Sequence, residues 1–317
     1  MLRCKQTLAK QLLPLLLLSL ALPACRDNNA QQPGVASPTY PTQLQITPDY
    51  SGENAYVHCS RLCAIGPRPT GSVGYEQQLA YLSEQLSRCG WQVMRRPFSL
   101  SNGARMVNLH ASFGADDTGT RPIIVTCHID TKLGISDNFV GADDGASAAA
   151  AMLELARILA ASPDKAKKIE LIFFDGEESF ARNMSESDGL YGSRYDVMRR
   201  GMELPLYQVN LDMVGGRNKT IAVPMLDTGD EMMLLYEDII SELKLSPRRW
   251  TGHPGGYLDD HLPYEQAGVQ TLNLICDFTK GGWWHTERDN MERICPKSLQ
   301  ETGLVVQALL NRLLERL

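Results

Sequence analysis

Ile123-Ile124-Val125-Thr126-Cys127-His128-Ile129-Asp130 and Leu171-Ile172-Phe173-Phe174-Asp175-Gly176-Glu177-Glu178 share one shape: a short, largely apolar run that stops at ionisable residues. A run of this kind without polar alternation reads as a strand covered on both faces, which is how parallel sheets are built. Two further runs repeat the shape. Leu206 to Leu211 leads into Asp212, and Thr271 to Ile275 precedes a loop carrying Trp283, Trp284 and His285.

The segments between these runs have helical spacing. Ala146 to Ala161 and about Asp230 to Leu243 read as helices, and the last helix presents Val306, Leu309, Leu310, Leu313, Leu314 and Leu317 on one face, to be laid on the sheet. Upstream, helices are expected around Ser51 to Ala64 and Ser72 to Cys89, the second closed by Gly90. Between them lies the breaker-rich loop Gly66-Pro67-Arg68-Pro69-Thr70-Gly71. Trp91 to Leu100 and Met106 to Phe113 read as strands. The alternation predicts an α/β fold: a mixed, mostly parallel twisted sheet with helices on both faces.

In such a sheet the carboxyl ends of the strands line the ligand crevice. That placement draws His128, Glu177, Glu178, Asp212 and His285 toward one edge. Asp143, Asp144, Asp175, Glu177, Glu178 and Asp212 converging there without a cation would repel one another. A metal resolves the conflict, and imidazole plus carboxylate without cysteine suits catalytic zinc, with manganese or cobalt as rivals. Taken singly, each residue also has a structural reading: His128 as a core histidine, Asp212 as a turn cap, Glu177-Glu178 as a solvated pair.

The chain has 317 residues, a net charge of -6 and 43 % hydrophobic residues, so nothing basic points to nucleic acid. There is no internal repeat and no glycine-rich phosphate loop. Residues 1–24 read as a signal peptide, with Arg3, Lys5 and Lys10 before an apolar run too short to span a bilayer. Leu22-Pro23-Ala24-Cys25 resembles the bacterial lipobox, so the expected product is either a freely secreted protein or one whose membrane contact is a lipid on Cys25. Residues 25–43 are polar and read as a flexible tether, leaving 44–317 as a single catalytic domain that is exported and monomeric. Cys59, Cys63, Cys89, Cys127, Cys276 and Cys295 form no CxxC pair, and Cys59 with Cys63 reads as a buried pair rather than a metal site.

Several segments, in order and spacing, resemble the zinc exopeptidase clan that holds bacterial aminopeptidases and animal glutaminyl cyclases. Gly66 to Gly74 and Gly141-Ala142-Asp143-Asp144 are similar to aminopeptidase loops. The glutaminyl-peptide cyclotransferase branch is the nearer likeness, through Cys127 to Lys132, Leu171 to Glu178, Leu190 to Arg194, Asp259 to Pro263 and Trp284-His285-Thr286. The resemblance implies one zinc held by Asp144, Glu178 and His285, with Glu177 as general base and acid. It also implies that Asp212 and Asp259 form a carboxylate network holding the substrate amine, and that Trp284 walls the pocket. The substrate would be a peptide or protein N-terminus beginning with glutamine, converted to pyroglutamate with loss of ammonia. The alternative is a di-zinc aminopeptidase, in which His128 and Asp212 bind a second zinc and Asp144 bridges; a third is a binding protein that has lost catalysis. Two positions depart from animal cyclases. Asn183 stands where they carry a tryptophan, and Asn273 where they carry a strand histidine.

Overall fold

The structure, a computed structural model, describes residues 40–114 and 123–317. The expected signal peptide, Cys25 and the tether up to residue 39 lie outside the described residues. The described body starts at Tyr40, whose ring stacks on Tyr56 at 4.9 Å and whose hydroxyl accepts from Arg217. Packing therefore begins ahead of the expected domain boundary at residue 44.

The elements in chain order are α1 (Gly52–Ala64), α2 (Val73–Arg88), β1 (Gln92–Ser99), β2 (Arg105–Ser112) and β3 (Ile123–His128). A distorted helical turn, Ala142–Ser147, leads into α3 (Ala148–Ala160), followed by α4 (Pro163–Ala166), β4 (Ile169–Phe174), α5 (Tyr191–Arg200) and β5 (Tyr207–Asp212). Then come β6 (Ile221–Pro224), α6 (Asp230–Glu242), β7 (Trp250–His253), α7 (Leu262–Gln266), β8 (Gln270–Ile275) and α8 (Pro296–Leu314). Ser51 and Ser72 cap the first two helices, accepting from Asn54 N at 3.1 Å and Tyr75 N at 3.0 Å. Each cap satisfies an amide that the helix itself leaves unpaired.

The main sheet runs β1-β2-β4-β3-β5-β8. β4, β3, β5 and β8 are parallel, and β2 and β1 extend the β4 edge antiparallel. Side chains alternate between its faces. Ile123, Val125 and Cys127 join the large core formed with α1, α2, α3, α6 and α8, whereas Ile124 joins a small cluster with Ile172, Phe174 and Tyr264 on the opposite face, where α7 packs. The mixed sheet with helices on both faces is thus as the sequence predicts. The last helix differs in detail: α8 packs chiefly on α1, α6 and α3 rather than directly on the sheet, and Leu317 is exposed. No helix among the described residues is long and apolar enough to cross a membrane.

α5, α7 and the small parallel pair β6–β7 do not stand out in the sequence. α5 buries only Gly192, Ser193 and Asp196, so it has no apolar stripe to read. Tyr191, Gly192 and Arg194 form its first turn, and Tyr191 also ties the preceding loop, its amide donating to the Gly176 carbonyl and its hydroxyl to Asp188, each at 2.8 Å.

Ion pairs replace apolar contacts there. Asp196, buried, accepts from Arg200 Nε at 2.5 Å, Arg199 Nη2 at 2.9 Å and Tyr264 Oη at 2.6 Å, and so ties α5 to α7. Burial opposes its charge, but Arg200 and His110 outweigh that and hold the carboxyl down to about 2, below its ordinary 3.8. A depressed carboxylate stabilises the fold above its unfolded value and loses that contribution as pH falls toward the folded one. Asp196→Asn is expected to cost about 1.5–3 kcal/mol at neutral pH. Urea unfolding checks this, and the deficit should shrink between about pH 4 and pH 2 as the wild type loses the same charge.

Candidate active site and metal centre

β3 sends its connection toward β4 on one side, and β5 sends its own toward β8 on the other, so the crevice opens between the carboxyl ends of β3 and β5. The last residues of those strands are His128 and Asp212. They face each other, His128 Nε2 lying 3.2 Å from Asp212 Oδ1. His128 Nδ1 donates to the Asp130 carbonyl at 3.1 Å, which turns Nε2 into the crevice.

The loop after β4 supplies Glu177 and Glu178. Their backbone amides donate to the two carboxylate oxygens of Asp130, each at 3.2 Å. The distorted turn before α3 supplies Asp144 by the same device, with Asp289 accepting from Asp143 N at 2.8 Å and Asp144 N at 3.1 Å. Gly145 makes this turn possible. Its φ is +91°, and a Cβ there would lie 3.2 Å from the Asp130 carbonyl and 3.4 Å from the His128 ring. The Gly66–Gly74 loop braces the arrangement through Arg68, fully buried, whose guanidinium donates to Gln78, Gly66 and Gly141.

His285 arrives on the loop after β8 with a left-handed backbone, φ +51°, a conformation that costs a non-glycine residue about 1–2 kcal/mol. Its Nε2 lies 3.1 Å from Glu178 Oε1 and 3.3 Å from Asp144 Oδ2. Trp284 stacks flat on it, ring centroids 3.8 Å apart at 23°, and Phe278 packs behind Trp284 at 4.6 Å. Lys132, also buried, places its ammonium 3.5 Å from Glu178 Oε2 while donating to Ser179.

Two groups of side chains offer ligand atoms within 4.8 Å of one another: Asp144 with Glu178 and His285, and His128 with Asp144 and Asp212. Asp144 belongs to both. Its Oδ2 is buried and accepts no hydrogen bond. A buried carboxylate oxygen without a hydrogen bond is costly unless a cation meets it, so this atom, with the His285 imidazole 3.3 Å away but not bonded to it, fits a metal. The donor set, histidine and carboxylate without thiolate, fits zinc.

The electrostatics agree. Burial pushes Asp212 up to about 8, with the charges of Asp259 and Asp144 adding to it against the hydrogen bond from His128. Glu177 is raised well above the ordinary carboxylate range, first by burial, then by Glu178, Asp259 and Asp260, with His128 opposing. His285 goes the other way for an imidazole: burial would lower it, but Asp144 and Glu178 carry it up to about 10. Protons thus accumulate where a dication would sit.

The cavity in front of this cluster has a volume of about 270 Å³. Glu177, Glu178, Asp144 and Asp212 form its polar floor, and Met184, Met213, Tyr257, Phe278 and Trp284 its apolar walls. Asn183 lines it. Asp259 does not: it is buried behind Asp212, its Oδ2 accepting from Asn210 Nδ2 at 3.1 Å and Asn273 Nδ2 at 2.7 Å, its Oδ1 from Asp260 N at 2.6 Å. Asn273 is therefore part of the support for Asp259 rather than of the cavity wall.

Two expected members of the acidic cluster are turned away from it. Asp143 accepts from Gly215 N at 2.8 Å and Arg293 Nε at 3.1 Å, and Asp175 from Thr70 Oγ1 at 2.7 Å and Val107 N at 2.8 Å. Asp130 and Asp289, which hold the amides of the loops bearing Glu177, Glu178 and Asp144, are given no role by the sequence alone. Only the spacing of Asp130, two residues after His128, could have drawn attention to it. All six cysteines among the described residues are free thiols, and Cys59 and Cys63 are buried in the core.

Comparison with known proteins places this geometry among relatives. The model of peptidase family M28 matches residues 108–310. The glutaminyl-peptide cyclotransferase of Gloydius blomhoffii is 33% identical over 228 residues, which cover 59% of this chain and 60% of that protein. The chain thus spans about 60% of the length of that curated relative. Among solved structures, Porphyromonas gingivalis glutaminyl cyclase superposes with a TM-score of 0.72 at 24% identity, covering 83% of this chain and 98% of its own. A Zn-dependent exopeptidase from Parabacteroides distasonis gives 0.71 at 23%, covering 84% and 99%. At these identities the structural likeness establishes the fold.

Proposed function

Since the chain belongs to peptidase family M28, we propose that it is a zinc-dependent glutaminyl-peptide cyclotransferase, which converts the N-terminal glutamine of peptides to pyroglutamate and releases ammonia. The observation that carries this reading is Trp284 laid over His285 with Phe278 behind it, closing one side of a cavity of about 270 Å³ above a carboxylate floor. Such a space suits a single glutamine side chain folded back on its own amine. The cyclotransferase relatives support the same choice.

Asp144, Glu178 and His285 would hold the zinc, which would supply Lewis-acid polarisation of the γ-carboxamide. The protein's own residues do the rest. Asp212, on the cavity floor, holds the α-amine, and Asp259 supports Asp212 from behind as the second carboxylate of the network. The amine nitrogen attacks the γ-amide carbon in an intramolecular step, the bond from that carbon to the carboxamide nitrogen breaks, and no water is consumed. Glu177 takes the amine proton and returns it to the departing nitrogen. Its raised proton affinity suits both halves of that task.

Trp284 is 39% exposed, so it presents its free face to the cavity rather than filling the core. Replacing Trp284 with Ala is expected to raise KM by about tenfold, the loss of one large apolar contact surface, with a smaller effect on kcat. Steady-state kinetics on a glutamine-initiated peptide check it, together with enzymatic detection of the ammonia released. A protein that consumes the peptide's free amine without producing ammonia does not have this function.

A second reading has its own observation. His128, Asp144 and Asp212 form a second group at ligand distance that shares Asp144 with the first, as a di-zinc aminopeptidase requires. Zinc content separates the two: one ion per chain for the cyclase, two for the aminopeptidase. We further assign residues 1–24 to an export signal and 25–43 to a tether, which makes the protein exported, either secreted or anchored through a lipid on Cys25, with a monomer as its working form.

A further inference from the structure

A second cavity, of about 600 Å³, adjoins the first and shares Lys132, Arg182, Asn183, Trp284 and His285 with it. The two differ in charge. The first contains Asp144, Glu177, Glu178 and Asp212, whereas no carboxylate lines the second, whose remaining walls are Leu133, Gly134, Ile135 and Thr286. Of its two cations, Lys132 is buried and already committed to Ser179 and Glu178. Arg182 is exposed and makes no ion pair among the described residues.

The segment that carries Arg182 is pinned. Asp188 accepts from Phe180 N, Ala181 N and Tyr191 Oη, each at 2.8 Å, and Ser185 pairs with Asp188 through the backbone. Arg182 is therefore held at the boundary between the two cavities on a loop with fixed ends. A chain whose amino end lies over the acidic floor and which leaves past Trp284 crosses this boundary, each extended residue advancing it by about 3.3 Å.

We propose that Arg182 is a specificity-determining residue that selects peptides bearing a carboxylate just beyond the N-terminal residue, whether an acidic side chain or the C-terminal group of a short peptide. The inference rests on the reading of the first cavity as the N-terminus site. Guanidinium pairs with carboxylate through two parallel N–H donors, a geometry lysine lacks, and an exposed pair of this kind is worth a few-fold in affinity.

The test uses the full chain loaded with zinc and four peptides: Gln-Ala-Ala amide, Gln-Ala-Ala with a free carboxylate, Gln-Ala-Asp amide and Gln-Ala-Lys amide. The expected result is a kcat/KM about three- to fivefold higher for each carboxylate peptide than for the neutral amide, with the lysine peptide lowest. Comparing the free-acid and aspartate peptides tells which source of carboxylate is read. Arg182→Glu should invert the order, and 0.5 M salt should flatten it in the wild type. An order unchanged by Arg182→Glu, or equal values for all four peptides, overturns the inference. Calorimetric titration of the same peptides reports the charge order even without turnover, so failure of the cyclase reading and failure of this inference are separate results.

Discussion

Glu177→Gln is expected to lower turnover of a glutamine-initiated peptide by about 10²–10⁴-fold, the range over which a positioned general acid–base group contributes. The substitution keeps the shape of the side chain and removes its ability to carry a proton. Zinc should remain bound at the wild-type content, because Glu177 lies outside both ligand groups, and its backbone amide would still be held by Asp130. Measuring kcat beside metal content separates a lost base from a lost metal. A variant that turns over near the wild-type rate would remove Glu177 from its proposed role.

Chelation is expected to abolish turnover and to lower the melting temperature, and added zinc should restore both. A ligand present at a hundred times its Kd stabilises the native state by about 2.7 kcal/mol, or roughly 5–10 °C for a domain of this class. The difference should widen with pH. In the metal-free protein burial opposes the charge on His285, but Asp144 and Glu178 raise its pKa to about 10, above the ordinary 6.5. A raised imidazole stabilises the fold fully below its unfolded value and loses that contribution as pH climbs toward the folded one. Protonated His285 thus stands in for part of the metal at pH 6 and less so at pH 9. Zinc binding strengthens over the same range because its ligands must shed protons. Thermal melts of both forms at the two pH values check this; a difference that narrows with rising pH would contradict it.

The parts of the fold legible in the sequence are those where burial leaves a one-dimensional trace. β3 and β4 are covered on both faces, so Ile123–His128 and Ile169–Phe174 appear as apolar runs, and the polar residues at their ends are visible as candidates for the crevice. α8 shows its stripe for the same reason. α5 leaves no such trace, since its contacts with β4 and α7 run through Asp196 and Arg200.

The site divides along a similar line. His128, Glu177, Glu178 and Asp212 are read from their positions at strand ends, whereas the roles given to Asp144 and Asp259 came from the resemblance. What sequence position does not reveal is the direction of a side chain. Asp143 and Asp144 are neighbours, yet Arg293 and Gly215 turn one away while the other meets His128 and His285. Asp175 is drawn off by Thr70, 105 positions away in the chain. Asn210 and Asn273 sit in strand register with each other, and only that pairing explains why both amides reach Asp259.

Mass spectrometry of a short glutamine-initiated peptide, incubated with the zinc-loaded protein in heavy-oxygen water, tests the central claim most directly. The account predicts an intact peptide lighter by one ammonia, formed faster than by spontaneous cyclisation and carrying no heavy oxygen. Free glutamine with heavy oxygen in its carboxylate would identify an aminopeptidase, and an N-terminal glutamate labelled in its side chain an amidase. Either product, without pyroglutamate, would contradict the account.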